Sequence, residues 1–318
     1  HPELGFKEFQ CAQKLQEVLR AEGFQLETGL GHITTAFSGR FGSGRPVIGI
    51  LGEFDALMNL SQKAGVTHQE SAGGLCGHGC GHNLLGVGSL GAALAVKAYL
   101  ETTGASGTVI YFGCPAEENG SAKAFLARDG VFGALDAALS WHPADTTGVR
   151  NLTTLANRKV LYRFDGVAAH ASIQPHLGRS ALDAVELMNV GANYLREHVQ
   201  PSCRIQYVIT DGGKAPNIVP DRAQVWYTLR APESALVDDM HQRLVNIAKG
   251  AALMTQTQCE EAFVSGCYAF LPNMTLAENI LAHMREVGAP GWTDSDRAFA
   301  GELYRQVPED CKESSFVN

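Results

Sequence analysis

The sequence predicts an α/β protein in two parts: a mostly parallel-sheet catalytic-type domain and an inserted, ferredoxin-like α+β domain. Three observations carry that expectation. Short, continuously apolar runs alternate with helical patterns up to about residue 143. After Pro143 the order becomes strand, helix, strand, strand, helix, strand, the split βαβ arrangement. A last amphipathic segment, residues 275–287, then resumes a helical period.

The elements follow in order. Residues 8–22 read as an amphipathic helix that stops before Gly23. Residues 46–52 are apolar throughout, as a strand buried on both faces requires. Residues 84–100 form a helix rich in Gly and Ala. Residues 107–112 make a second buried strand, 121–128 a short helix and 136–141 a third strand. In the insert, strands are expected at 159–164, 204–210, 224–230 and 259–264, with helices at 180–198 and 234–252. Leu276, Ile280, Leu281 and Met284 share one face of the final helix. The expected domains are 1–150 for the first part of the catalytic domain, 151–266 for the insert, and 267–318 for an incomplete return.

Composition excludes several classes. The chain has 318 residues, 45% hydrophobic and 18% charged, enough for a large core. A formal net charge of -8 and the lack of a Lys/Arg run argue against nucleic acid or an anionic membrane as partner. The longest apolar stretch, 84–100, is broken by Gly86, Gly88, Ser89 and Gly91, so no membrane span is expected. Eight cysteines without framework spacing fit reduced thiols in a cytoplasmic protein.

Each buried strand of the first part leads into groups that bind metal or move protons. The first runs into Glu53-Phe-Asp55, the second into Glu117-Glu118, and the third into Trp141-His142. In open α/β sheets these ends converge on one edge. A fourth cluster, His78-Gly-Cys-Gly-His82, precedes a helix. Singly, each has a bland explanation: a solvated carboxylate, a small core thiol, a turn. Together, thiolate, imidazole and carboxylate at one edge would repel or stay unpaired without a cation. Cys80, His82 and His142 suit zinc, manganese or cobalt better than magnesium or calcium. Of the adjacent pair Glu117 and Glu118, one can ligate while the other takes a proton from an activated water, the machinery for amide hydrolysis.

These residues also carry a resemblance. His1-Pro-Glu-Leu-Gly-Phe6, Gly52-Glu-Phe-Asp-Ala-Leu57, His78-Gly-Cys-Gly-His-Asn83, Cys114-Pro-Ala-Glu-Glu118 and Trp141-His-Pro143 occur in the order found in the amidohydrolase branch of the two-metal aminoacylase/carboxypeptidase superfamily. Gly166-Val-Ala-Ala-His-Ala-Ser172 and Pro216-Asn-Ile-Val-Pro-Asp221 are similar to that family's lid domain. Residues 77–88 and 114–120 most resemble the p-aminobenzoyl-glutamate hydrolases. The resemblance implies two divalent ions, Mn2+ or Zn2+, held by Cys80, His82, Glu118 and His142. It implies Glu117 as general base, Asp55 as the residue orienting a ligand, and His170 as an oxyanion donor acting across a subunit interface. It further implies substrate contacts from Asn217 and Arg230, and places His78 behind the ligands.

The implied substrate is an N-acyl amino acid, best p-aminobenzoyl-glutamate, with a dipeptide as alternative. The implied assembly is a homodimer through the insert, or a heteromer with a homologous subunit, with a hinge near Asp145 and Cys267. The family also has a late metal-binding histidine. The sole candidate, His283, lies inside the 275–287 helix without a matching motif, so the role is not carried onto it. The chain is therefore expected to be truncated at both ends. A non-catalytic scaffold subunit is the alternative from another class, opposed by the intact Glu117-Glu118 pair. A zinc-stabilised structural domain fails on ligand spacing.

Overall fold

The computed structural model describes every residue except Asp145, Pro308 and residues 310–318. It divides into two compact units: His1–Val149 with the chain from Leu276 onward, and Arg150–Thr275.

The first unit opens with α1 (Phe9–Ala21), whose apolar stripe buries Ala12, Leu15 and Leu19. Then come β1 (Gln25–Thr28), β2 (Phe37–Ser43) and β3 (Val47–Glu53), and a small ladder of β4 (Leu57–Met58) with β5 (Cys76–Gly77). Helix α2 (His82–Thr103), strand β6 (Gly107–Cys114), the short helices α3 (Glu117–Gly120) and α4 (Ala122–Arg128), and strand β7 (Ala137–Leu139) follow. The five-stranded sheet has the order β1-β2-β6-β3-β7. Its parallel part, β6-β3-β7, consists of the three strands the apolar runs announced. All eight residues of β6 are buried, which is why its sequence shows no alternation.

The sequence reading missed β1 and β2, which extend the sheet in the antiparallel sense. Their signal is weak because Gly39, Arg40 and Gly42 interrupt the apolar pattern. Tertiary packing supplies what propensity lacks: Phe37 is fully buried against Phe54 and Tyr111, with ring centroids about 6 Å apart. Helix α2 is long and apolar enough to meet the length test for a membrane span. It lies against β3 and β6, burying Leu85, Leu90 and Ala93. Ser89 donates to the carbonyl of Leu51 at 2.8 Å, and Tyr111 donates to that of Gly86 at 3.1 Å.

The second unit is β8 (Ala156–Asp165), α5 (Ala181–Leu195), β9 (Arg204–Asp211), β10 (Arg222–Ala231), α6 (Ser234–Thr255) and β11 (Gln258–Cys267). Its sheet is antiparallel throughout, in the order β11-β8-β10-β9. Two strand–helix–strand halves interleaved in that order make the ferredoxin-like topology. Ser180 starts α5 by accepting the Asp183 amide at 3.1 Å. The core alternates down β8 and β10, where Val160, Tyr162 and Phe164 face Val225, Tyr227 and Leu229 under Met188 and Leu244. Tyr227 donates to the buried Asn189 side chain at 2.5 Å, so its hydroxyl is satisfied.

Helices α7 (Met274–Val287) and α8 (Asp294–Gln306) follow. The expected stripe Leu276, Ile280, Leu281 and Met284 is half-buried on α7. The sequence reading missed α8, whose Thr293 and Asp296 form a reciprocal capping box. Of the expected hinge, Asp145 lies outside the described residues, and Cys267 ends β11.

Leu244 is fully buried and Leu253 is 81% exposed on the same helix. Leu244→Ala is expected to destabilise the second unit by about 2–5 kcal/mol, and Leu253→Ala by less than about 0.5 kcal/mol. Equilibrium urea unfolding measures both.

Candidate metal centre

Strands β3, β6 and β7 run parallel, so the segments after them meet at one sheet edge. The first delivers Glu53 and Asp55, the second Glu117 and Glu118, the third His142. The fourth contribution, Cys80-Gly-His82, sits at the start of α2. Gly81 takes a left-handed conformation, φ 78°, and a Cβ there would stand 2.9 Å from the Pro143 ring. That close approach brings Cys80 beside His142.

His82 is at the middle of the cluster and fully buried. Its Nδ1 lies 2.9 Å from Oδ1 of Asp55, itself 1% exposed. The other Asp55 oxygen accepts the backbone N–H of Glu118 at 3.0 Å. Burial works to raise the Asp55 carboxyl, but the imidazole and the amide outweigh it and hold it below the usual carboxylate range. Burial likewise works to lower His82, while Asp55 and then Glu53 raise it above the usual imidazole value. With Nδ1 engaged, Nε2 points at acceptors: Glu53 at 3.2 Å, Glu118 at 3.9 Å and Glu117 at 4.0 Å.

Cys80 and His142 form the other side. Sγ of Cys80 lies 3.3 Å from Nε2 of His142. His142 Nδ1 donates to the carbonyl of Pro143 at 2.8 Å, which leaves Nε2 as the lone-pair nitrogen in the neutral ring. Burial, then the Glu118 carboxylate, push the Cys80 thiol up to about 12. Burial and the neighbouring Glu53 carboxylate also raise the Glu117 carboxyl.

The donor set fits a cation. Cys80, His82 and His142 form one group of ligand atoms within 4.8 Å of one another, and Glu53, His82 and Glu117 form a second. Glu53 Oε2, His82 Nε2 and Glu118 Oε1 are buried without a hydrogen bond. Three orphaned polar atoms in one place cost several kcal/mol unless something between them completes the pairing. Carboxylate, imidazole and thiol donors together are the chemistry of a borderline divalent ion.

Two members of this environment escaped the sequence reading. Glu53 was seen only as part of a strand end, yet it is 7% exposed and aims an oxygen at His82. Lys123 of α4 pairs with the other Glu53 oxygen and is the local counter-charge. A signal for Glu53 existed: a Glu at the end of an otherwise apolar, doubly buried strand needs a partner.

His78 turns its Nε2 to the carbonyl of His1 at 3.3 Å. His283 is exposed on α7 beside Glu286 and belongs to neither ligand group among the described residues. In the second unit, His170 and Asn217 are adjacent: His170 bridges Ile218, and the Asn217 carbonyl accepts the Ala171 amide at 3.0 Å. His170 Nδ1 accepts the amides of Ser172 and Ile173 at 3.2 and 3.3 Å, so a neutral ring carries its proton on Nε2. Arg230 is exposed near the opposite end of β10, eight residues or roughly 26 Å along the strand from Arg222.

A family profile described as the peptidase dimerisation domain matches residues 156–255. One of the p-aminobenzoyl-glutamate hydrolase polypeptides of Escherichia coli K12 is 47% identical over 320 residues, covering all of this chain and 66% of that protein. The Xaa-Arg dipeptidase of Mus musculus is 33% identical over 215 residues, covering 67% of this chain and 50% of that protein. The chain thus spans between half and about two thirds of the length of these relatives. Among solved structures, the aminobenzoyl-glutamate utilization protein of Klebsiella pneumoniae shares the fold with a TM-score of 0.70 at 19% identity, over 96% of this chain and 85% of that one. The Bacillus subtilis YXEP protein, a dinuclear metal binding peptidase of the M20 family, does so with a TM-score of 0.61 at 18% identity, over 95% and 82%. The second unit thus carries the M20 peptidase dimerisation domain over residues 156–255, and the chain as a whole is similar to the Escherichia coli hydrolase polypeptide.

Proposed function

We propose that the protein is a metal-dependent amidohydrolase that cleaves the bond between an acyl or aroyl group and an amino acid. The proposed substrate is p-aminobenzoyl-glutamate, and the products are p-aminobenzoate and glutamate. The observation that carries this reading is the paired Glu117 and Glu118 beside the orphaned buried atoms of Glu53 and His82, in a chain 47% identical to the Escherichia coli hydrolase polypeptide. A second reading, cleavage of dipeptides, draws on the likeness to the mouse dipeptidase.

Cys80, His82, Glu118 and His142 are the proposed ligands of two divalent ions, manganese or zinc. When bound, the ions supply Lewis acidity toward the substrate carbonyl and the attacking water. Glu117 takes the proton from that water; its raised carboxyl suits a group that accepts a proton and passes it to the leaving amine. Asp55 keeps His82 in the tautomer with Nε2 free and holds the Glu118 backbone. His170, with Nε2 as its donor, is the proposed hydrogen-bond partner of the developing oxyanion in the site of a partner subunit. Asn217 is the proposed contact to the substrate. Arg230 is proposed to meet a substrate carboxylate.

The proposed assembly is a homodimer, or a pair with a homologous chain, through the second unit. The edge strand β9, with exposed Val208 and Ile209, and the outer face of α5, with Val190 and Tyr194, support such a surface. A cytoplasmic setting is supported by seven free thiols among the described residues; Cys311 lies outside them.

Release of p-aminobenzoate from p-aminobenzoyl-glutamate, with added Mn2+ or Zn2+ and a chelated control, tests the reading. Metal-dependent release supports it. Bound metal without release, but with release of amino acids from dipeptides, moves the substrate to the second reading. Glu117→Ala is expected to retain metal and lose about 100-fold or more in kcat, whereas Cys80→Ala and His142→Ala should lose metal as well, as elemental analysis reads out.

Metal loading has a protonic signature. The Cys80 thiol is held up to about 12, so it is protonated at neutral pH and must give up its proton to ligate. His82, raised above the usual imidazole value, competes for protons as the pH falls. Loading is expected to release about one proton or more per chain near neutral pH, and affinity should climb with rising pH. Titration calorimetry in buffers of different ionisation enthalpy measures the release; none, with metal bound, would remove the thiolate from the site.

A further inference from the structure

The opening segment, His1 to Glu8, has no part in the chemistry above, yet it touches both the loop that carries Asp55 and the turn that carries Glu117 and Glu118. The Glu3 carbonyl accepts the Ala56 amide at 2.8 Å, and Leu4 bridges Ala56, so the segment lies alongside the loop that carries Asp55. The Glu3 carboxylate caps α1 by accepting the amides of Gln10 and Cys11 at 3.1 and 2.9 Å. A Cβ on Gly5 would stand 3.0 Å from both Cα and Cβ of Ala116, so the backbone passes directly over the turn that precedes Glu117.

Glu8 completes the set. It is a carboxylate with no exposed surface, in a unit where water could have solvated it at little cost. One oxygen accepts the Ala116 amide at 2.7 Å and the other accepts the Thr35 hydroxyl at 3.0 Å. Ala116 holds φ 51° and ψ 43°, a left-handed conformation that a residue with a Cβ rarely adopts. Its carbonyl in turn accepts the Gly120 amide at 3.1 Å, closing the turn that contains Glu117 and Glu118. Relaxing Ala116 to the right-handed region would withdraw its N–H and swing both glutamates.

We propose that Glu8 is a positioning residue of the metal centre: through the Ala116 amide it holds the strained turn that aims Glu117 and Glu118 at His82. The proposal rests on the metal-centre reading above. Two buried carboxylates then divide the work, Glu8 holding the Ala116 amide and Asp55 the Glu118 amide two residues on. What matters in Glu8 is reach rather than charge.

Two conservative variants separate reach from charge. Glu8→Gln keeps an oxygen at the same distance, and the Thr35 hydroxyl oxygen can accept from the new side-chain NH2 instead of donating. Glu8→Asp keeps the charge but withdraws the oxygen by one methylene. Glu8→Gln is expected to bind Co2+ with wild-type affinity and a wild-type visible absorption spectrum. Glu8→Asp is expected to bind Co2+ about 10-fold or more weakly, with an altered spectrum and a fall in kcat at little-changed KM. Hydrogen exchange of the Ala116 amide in the chelated protein supplies a readout that needs no metal: protection in wild type and Glu8→Gln, lost in Glu8→Asp. Failure of the wild type to bind Co2+ would count against the metal-centre reading, while the Ala116 exchange would still decide the tether. Equal Co2+ affinity and equal Ala116 protection in both variants would overturn the proposal, as would a weakened Glu8→Gln beside an intact Glu8→Asp.

Discussion

The carboxylate of Asp55 joins the two halves of the site. One oxygen orients the His82 ring, and the other holds the backbone of Glu118. A carboxylate taken out of water loses several kcal/mol of solvation and keeps its charge only where hydrogen bonds replace what is lost. Here an imidazole and an amide replace it, and the carboxyl stays ionised. Because one group serves both, the helix that brings His82 and the turn that brings the glutamates cannot drift apart independently. The rest of the first unit can be understood as the support for that joint: β3 delivers Asp55, and α2 packs along β3 so that its first residue meets it.

The charge balance around this joint explains its chemistry. Glu53, Asp55, Glu117 and Glu118 crowd His82, with Lys123 as the nearby ammonium. A protein interior tolerates that density only if cations offset it. The orphaned atoms are buried together away from solvent, an arrangement that would suit a cation placed between them. The raised carboxyl of Glu117 follows from burial and then from the same crowding, so a property that would suit the proposed base is a by-product of gathering the proposed ligands.

The second unit follows different physics. Its β10 strand buries alternate residues under two helices, and the opposite face of the sheet remains partly open. One edge strand, β9, keeps unpaired backbone groups beside exposed apolar side chains. Such an edge invites pairing, which accords with the dimerisation-domain profile that matches residues 156–255 of this unit. His170 and Asn217 lie on neighbouring segments because backbone hydrogen bonds tie residues 169–171 to 217–219.

Much was legible along the chain. Doubly buried strands announce themselves as unbroken apolar runs, so β3 and β6 were plain, and period-two alternation marked the ferredoxin-like unit. Cys80, His82, Asp55, Glu117, Glu118 and His142 stood out because each occupies the end of such a strand or the start of a helix. By contrast, β1 and β2 were hidden because glycine and arginine break their pattern, and only the burial of Phe37 between Phe54 and Tyr111 holds that edge. The sequence by itself therefore determined which chemical groups are present and which strand end each one follows. Tertiary structure alone decided that Glu53 faces His82, that Lys123 offsets it, and that Glu8 reaches across 108 residues to the Ala116 amide. Those three facts depend on the distance and direction of side chains remote in sequence, and no local periodicity encodes them.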